Sequence, residues 1–100
     1  MGREIVWTHL AEEGLHHAFL ELLERTESIE LTERIIREVF ESTYILESQP
    51  EIYQLDRLKI HNSGNIRAYI KHGYRLSYLI DTETVYILRV RHASSEPLEY

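Results

Sequence analysis

One hundred residues set the size of one small domain over residues 1–100, and 43% apolar with 28% charged residues is the balance of an ordinary globular protein. The chain has no cysteine, which excludes a disulfide framework, a thiolate metal site and a cysteine nucleophile, and suits a reducing cytoplasm. The opening "MGREIVWTHL" lacks the cationic-then-apolar pattern of a signal peptide, and no run approaches about eighteen consecutive apolar residues, so a cytoplasmic protein with no membrane span is expected.

The net charge of −6 is unevenly placed. Residues 1–50 hold four arginines against eleven carboxylates, 4 − 11 = −7. From Arg57 to His92 there are seven cations against Asp81 and Glu83, 7 − 2 = +5. Such asymmetry marks either an interaction surface or simply solvated acidic helices.

In chain order, "EIVWT" (Glu4–Thr8) alternates apolar and polar residues and reads as a first strand. Ala11, Leu15, Ala18, Phe19, Leu22 and Leu23 then recur at three- and four-residue spacing, predicting a helix from about His9 to Arg25. A second helix, started by Thr26 or Ser28, carries Leu31, Ile35, Ile36, Val39 and Phe40 on one face and ends before Pro50. Beyond Pro50 the period changes to two. Strands are predicted near Ile66–Lys71, Tyr74–Ile80 and Val85–Arg91, with turns at His72-Gly73 and Asp81–Thr84 and a shorter strand around Arg57–Ile60. The order β-α-α-β-β-β is an α+β fold: an N-terminal strand and a two-helix hairpin packed on a C-terminal antiparallel sheet.

Strand parity sorts the side chains. Ile66, Ala68, Ile70, Leu76, Tyr78, Ile80, Tyr86, Leu88 and Val90 are expected beneath the helices. The other parity collects Arg67, Tyr69, Lys71, Arg75, Ser77, Arg89 and Arg91, giving an open cationic face. His92, at the strand end, suits either proton transfer or a hydrogen bond to the backbone. Trp7 reads as core or interface packing. His9, His16 and His17 lack a ligand spacing with a carboxylate in place, so no metal is expected there. In the tail, Pro97 is expected to halt the last strand, with Leu98 and Tyr100 folding back over the sheet edge.

Two segments, "IRAYIKHGYRLSYLID" and "VYILRVRHASSEPLEY", resemble the RelE/ParE superfamily of type II toxin–antitoxin toxins. The likeness rests on Arg67 and Arg75, the Tyr-Arg-hydrophobic-x-Tyr run and the Ile-Leu-Arg-Val-x-His strand, and "IVWTHLAEEGL" is similar to the superfamily's first strand and helix start. The resemblance implies a cognate antitoxin as partner, no cofactor or metal, and either a homodimer or a toxin–antitoxin hetero-oligomer. It implies one of two targets: DNA gyrase, bound and poisoned by ParE-like members, or mRNA on the ribosome, cut by RelE-like members.

Residue chemistry favours the ParE-like branch. RelE-like toxins carry lysines just before the hairpin, where this chain has Ile66, Ala68 and Ile70, and Ser94 and Ser95 occupy tail positions where many relatives carry a further arginine. Metal-free RNA cleavage needs a base for the 2′-OH and cations for the phosphorane, for which Arg75, His92 and Tyr100 are the candidates. A ribosome-docking nuclease is also expected to be basic overall, whereas an acidic toxin suits a protein target. The expected target- or antitoxin-binding residues are Arg67, Tyr69, Lys71, Arg75, Arg89, Arg91 and His92. A third reading is a relative that has lost toxicity and keeps antitoxin binding.

Overall fold

The computed structural model describes residues 2–94 and 99–100. Strand β1 (Glu4–Trp7) leads into α1 (His9–Thr26) and α2 (Ile29–Glu41), a short 3-10 helix (Ser42–Glu47) follows, and a long loop precedes β2 (Ile66–Lys71), β3 (Tyr74–Ile80) and β4 (Thr84–His92). The sheet order is β1-β4-β3-β2. The last three strands are antiparallel, as the sequence predicts, and β1 joins parallel to β4. The strand expected around Arg57–Ile60 does not form. Instead Gln54 and Asp56 pair with the free edge of β2, the Asp56 amide donating to Ile66 at 2.9 Å and the Ala68 amide to Gln54 at 3.1 Å. A sheet edge needs such cover.

Local chemistry sets the helix ends. Thr8 caps α1, its hydroxyl accepting from the Ala11 amide at 3.2 Å and donating to the Ile87 carbonyl at 2.8 Å, so the cap also docks the helix on β4. Ser28 caps α2 in the same way, accepting from the Leu31 amide at 3.2 Å. Between the helices Glu27 takes the left-handed conformation and its amide returns to Leu23, an αL stop made without glycine.

Parity differs from the expectation in two strands. Lys71 pairs with Tyr74, Tyr69 with Leu76 and Arg67 with Tyr78, so Arg67, Tyr69 and Lys71 share the helix side with the β3 core residues. The side chains of Ile66, Ala68 and Ile70 point the other way, and Ile70 is 57% exposed. In β4, Ser77 pairs with Arg89 and Tyr78 with Ile87, which leaves Leu88 as an extra residue. This bulge switches the buried set from Val85 and Ile87 to Val90, so Tyr86 and Leu88 do not enter the core as expected. Leu76 and Tyr78 are fully buried in β3, where the parity holds.

The helix-side core packs Ala11, Ala18, Leu22, Val39 and Leu46 against the sheet. Its tyrosines keep their hydroxyls satisfied: Tyr78 donates to the Pro50 carbonyl at 2.6 Å, and Tyr69 lies 2.8 Å from the Ser42 hydroxyl with its ring stacked on Tyr53 at 4.2 Å. Arg67 reaches the Tyr53 carbonyl at 2.6 Å.

Helix α1 crosses β4 at Gly14, where a Cβ would fall inside contact distance of the Val90 carbonyl oxygen, and that oxygen belongs to a central strand that cannot yield. Gly→Ala inside a helix ordinarily stabilises by about 1 kcal/mol. Here the steric term dominates, and Gly14→Ala is expected to destabilise by about 2 kcal/mol or more in urea denaturation; a gain in stability would show that α1 does not approach β4 this closely.

Candidate functional site

The sheet side away from the helices is organised by one buried carboxylate. Asp56, in the loop before β2, is 2% exposed and both of its oxygens are used. Oδ1 accepts from the Leu58 amide at 3.0 Å and from Arg75 Nη2 at 2.7 Å; Oδ2 accepts from the Ser77 hydroxyl at 2.8 Å and the Tyr100 hydroxyl at 2.6 Å. Burial alone would raise its pKa, but the bonds from Tyr100, Arg75, Leu58 and Ser77 outweigh it and hold the carboxyl at about 2. A carboxylate saturated in this way is an anchor and not a base.

The C-terminal residue closes the cluster. Tyr100 pairs with the loop through its backbone, donating to Leu58 at 2.9 Å and accepting from Ile60 at 2.6 Å. Its ring takes the Arg89 guanidinium at 4.7 Å and the Lys59 ammonium at 5.4 Å. Burial first, then the hydrogen bond to anionic Asp56, push its hydroxyl up to about 12. Tyr100 folds back as expected but over the face of the sheet at Arg89 and not over its edge, while the expectations for Ser95, Pro97 and Leu98 fall outside the described residues.

Arg75 and Arg91 are cross-strand partners, and Arg89 pairs with Ser77. Burial, then the nearby Arg89 and Arg75, lower the pKa of Arg91. Arg75 and Arg91 also line a pocket of about 270 Å³ with Arg57, His92 and Ser94. The Ser94 amide donates to His92 Nδ1 at 3.1 Å, which in a neutral ring leaves the proton on Nε2. Four of the seven expected binding residues (Arg75, Arg89, Arg91 and His92) thus gather at β3 and β4. Arg67, Tyr69 and Lys71 stand apart, with Tyr69 8% exposed in the core. Of the alternative catalytic set, Arg75 and Tyr100 meet through Asp56, and His92 lines the pocket beside Arg75.

Two features escape the sequence pattern. One is Asp56, which sits one residue before the cationic stretch and so drops out of its charge count. The other is an apolar groove of about 510 Å³ between α1 and α2, lined by Trp7, Leu15, Phe19, Ile36 and Phe40 with Glu12 and His16. Trp7 stacks on Phe40 with centroids 5.2 Å apart, and its indole N–H is buried without a partner among the described residues. Helical periodicity assigns such residues to a core and does not distinguish a core from a groove.

The family model for the ParE toxin of the type II toxin–antitoxin system parDE matches residues 5–97. The fold is similar to a chromosomal ParDE system from P. aeruginosa, with a TM-score of 0.74, 13% identity and 92% of this chain and 97% of that one covered. It is also similar to the toxin–antitoxin complex RelBE2 from Mycobacterium tuberculosis, with a TM-score of 0.64, 26% identity and 92% and 99% covered. No curated protein sequence matches the chain.

Because the folded pKa of Asp56 lies below its unfolded value of 3.8, its contribution is complete above about pH 4 and is lost as pH falls toward 2. The shift corresponds to about 2 kcal/mol. Urea denaturation of wild type and Asp56→Asn across pH 2–7 is expected to show an acid limb of about this size in wild type that the variant lacks. Asp56→Ala, which strands the Arg75 charge, is expected to cost about 3 kcal/mol or more at neutral pH. Parallel acid limbs in wild type and Asp56→Asn would exclude Asp56 as the anchor.

Proposed function

The chain belongs to the ParE toxin family of type II toxin–antitoxin systems, and on that premise we propose that it inhibits DNA gyrase by binding and is held inactive by a cognate antitoxin. The observation that carries the binding reading is the state of the cationic cluster. Arg75 and Tyr100 are tied to a saturated carboxylate, and Arg89 lies against the Tyr100 ring. These groups are held in place to present charge and shape. Complementary patches of this kind steer protein partners without whole-molecule positive charge, which accords with a net charge of −6.

The antitoxin is assigned to the groove between α1 and α2. An amphipathic segment laid there would cover Phe19, Phe40 and the accessible part of the Trp7 ring. The two partners then use opposite sides of the sheet.

The endoribonuclease reading draws on a different observation, that Arg75 and His92 line one pocket. The two readings separate in one pair of assays: supercoiling by purified gyrase, and mRNA integrity in translating extract. Arg89 is the residue to reverse, since a carboxylate at Arg75 would face buried Asp56 and unfold the protein. Arg89→Glu is expected to weaken inhibition of supercoiling and growth by at least about tenfold, from loss of one charged contact, with thermal stability close to wild type. Uninhibited gyrase together with cut mRNA would replace the binding reading with the nuclease, and full inhibition by Arg89→Glu would remove this face from gyrase recognition.

A further inference from the structure

We infer that the recess walled by Leu58, Ile70 and Ala93 anchors the target protein through one apolar side chain carried on an acidic segment. This rests on the reading of the chain as an inhibitor that acts by binding, and adds the chemistry its partner must bring.

Cross-strand pairing sets the rows of the open face. Ile70 lines up with Arg75 and Arg91, and Ala68 with Ser77 and Arg89. Asp56 and Tyr100 lie over the second row, through Ser77 and Arg89. The first row stays open at its β2 end, where Ile70 stands exposed. A single exposed isoleucine is ordinary on a protein surface. This one differs in its surroundings, since with Leu58 and Ala93 it walls a recess of about 270 Å³. At about 30 Å³ per water that volume holds roughly nine waters, on the order of the heavy-atom count of one aromatic side chain. Water there meets apolar carbon on one side, so its release by a partner's apolar side chain is favourable. Recesses desolvated on association are where binding energy concentrates.

Charge selects the segment that carries the side chain. The ion pairs among the described residues are His9–Glu13, His72–Glu38 and Arg75–Asp56. None of these uses Arg57, Lys59 or Arg89. Arg57 lines the same recess and is exposed. Lys59 and Arg89 both lie against the Tyr100 ring, which holds them without neutralising them. Carboxylates flanking the anchor would meet these cations, whereas a basic segment would be repelled. The anchor then sets how long the complex lasts, and the cations how fast it forms.

Binding kinetics of the full chain on immobilised purified gyrase test the assignment. Ile70→Thr keeps the β-branched shape that suits the strand and removes the apolar contact. It is expected to raise the dissociation rate about tenfold, with the association rate near that of wild type. Arg57→Gln is expected instead to slow association severalfold and to flatten its salt dependence. Ala93→Leu fills the recess from an exposed position and is expected to match Ile70→Thr, which keeps the test open should Ile70→Thr fail to fold. Folded variants that dissociate like wild type would overturn the anchor and leave gyrase binding standing. No binding by wild type would end the binding reading, and the anchor with it. Concentration-dependent dimerisation of wild type that Ile70→Thr abolishes would place a second copy in the recess and overturn the assignment.

Discussion

The carboxylate of Asp56 is the constraint on which the second face of the sheet depends. It takes four hydrogen bonds from three parts of the chain: the loop itself, two positions on β3, and Tyr100. It ties the long connection between the 3-10 helix and β2 to the sheet face that carries Arg75 and Ser77. The loop also covers the free edge of the sheet, its backbone pairing with β2, and Tyr100 lies over Arg89. Burying an ion pair is expensive unless the remaining donors and acceptors are met, and here the carboxylate is met completely. The arrangement accordingly holds the cationic cluster in a single geometry.

The two faces of the sheet differ in chemistry. On the helix side, tyrosines and aliphatic residues make the core, and aromatic residues line the groove between α1 and α2. On the other side, Arg75, Arg89 and Arg91 are held near one another by β3 and β4, beside the apolar Ile66, Ala68 and Ile70 of β2. A partner seated in the groove and a target met by the cations therefore need not compete for the same atoms. Inhibition by an antitoxin would then act by wrapping around the sheet or by changing what the complex can approach.

Element order, helix limits and the three C-terminal strands were legible because period and caps are local properties of the sequence. Face assignment failed where two local facts had to be combined. His72 and Gly73 both take positive φ, making the two-residue turn that the sequence predicts. Such a turn pairs its flanking residues, Lys71 with Tyr74, so the parity of β2 follows from that of β3. Choosing Ile66, Ala68 and Ile70 as core by hydrophobicity overrode that geometric rule. The bulge at Leu88 had no comparable signal, since "YILRV" is apolar at both parities around it. Asp56 was invisible for another reason: its partners lie 19, 21 and 44 residues away, and no pattern in the sequence links them.

The central claim is that the target meets the side of the sheet that Asp56 organises. Hydrogen–deuterium exchange of the chain alone and with purified gyrase measures this most directly. Protection is expected in β3, β4 and the 54–62 loop, with exchange in α1 and α2 unchanged. Protection confined to the groove between α1 and α2, or none anywhere in the chain, would contradict it.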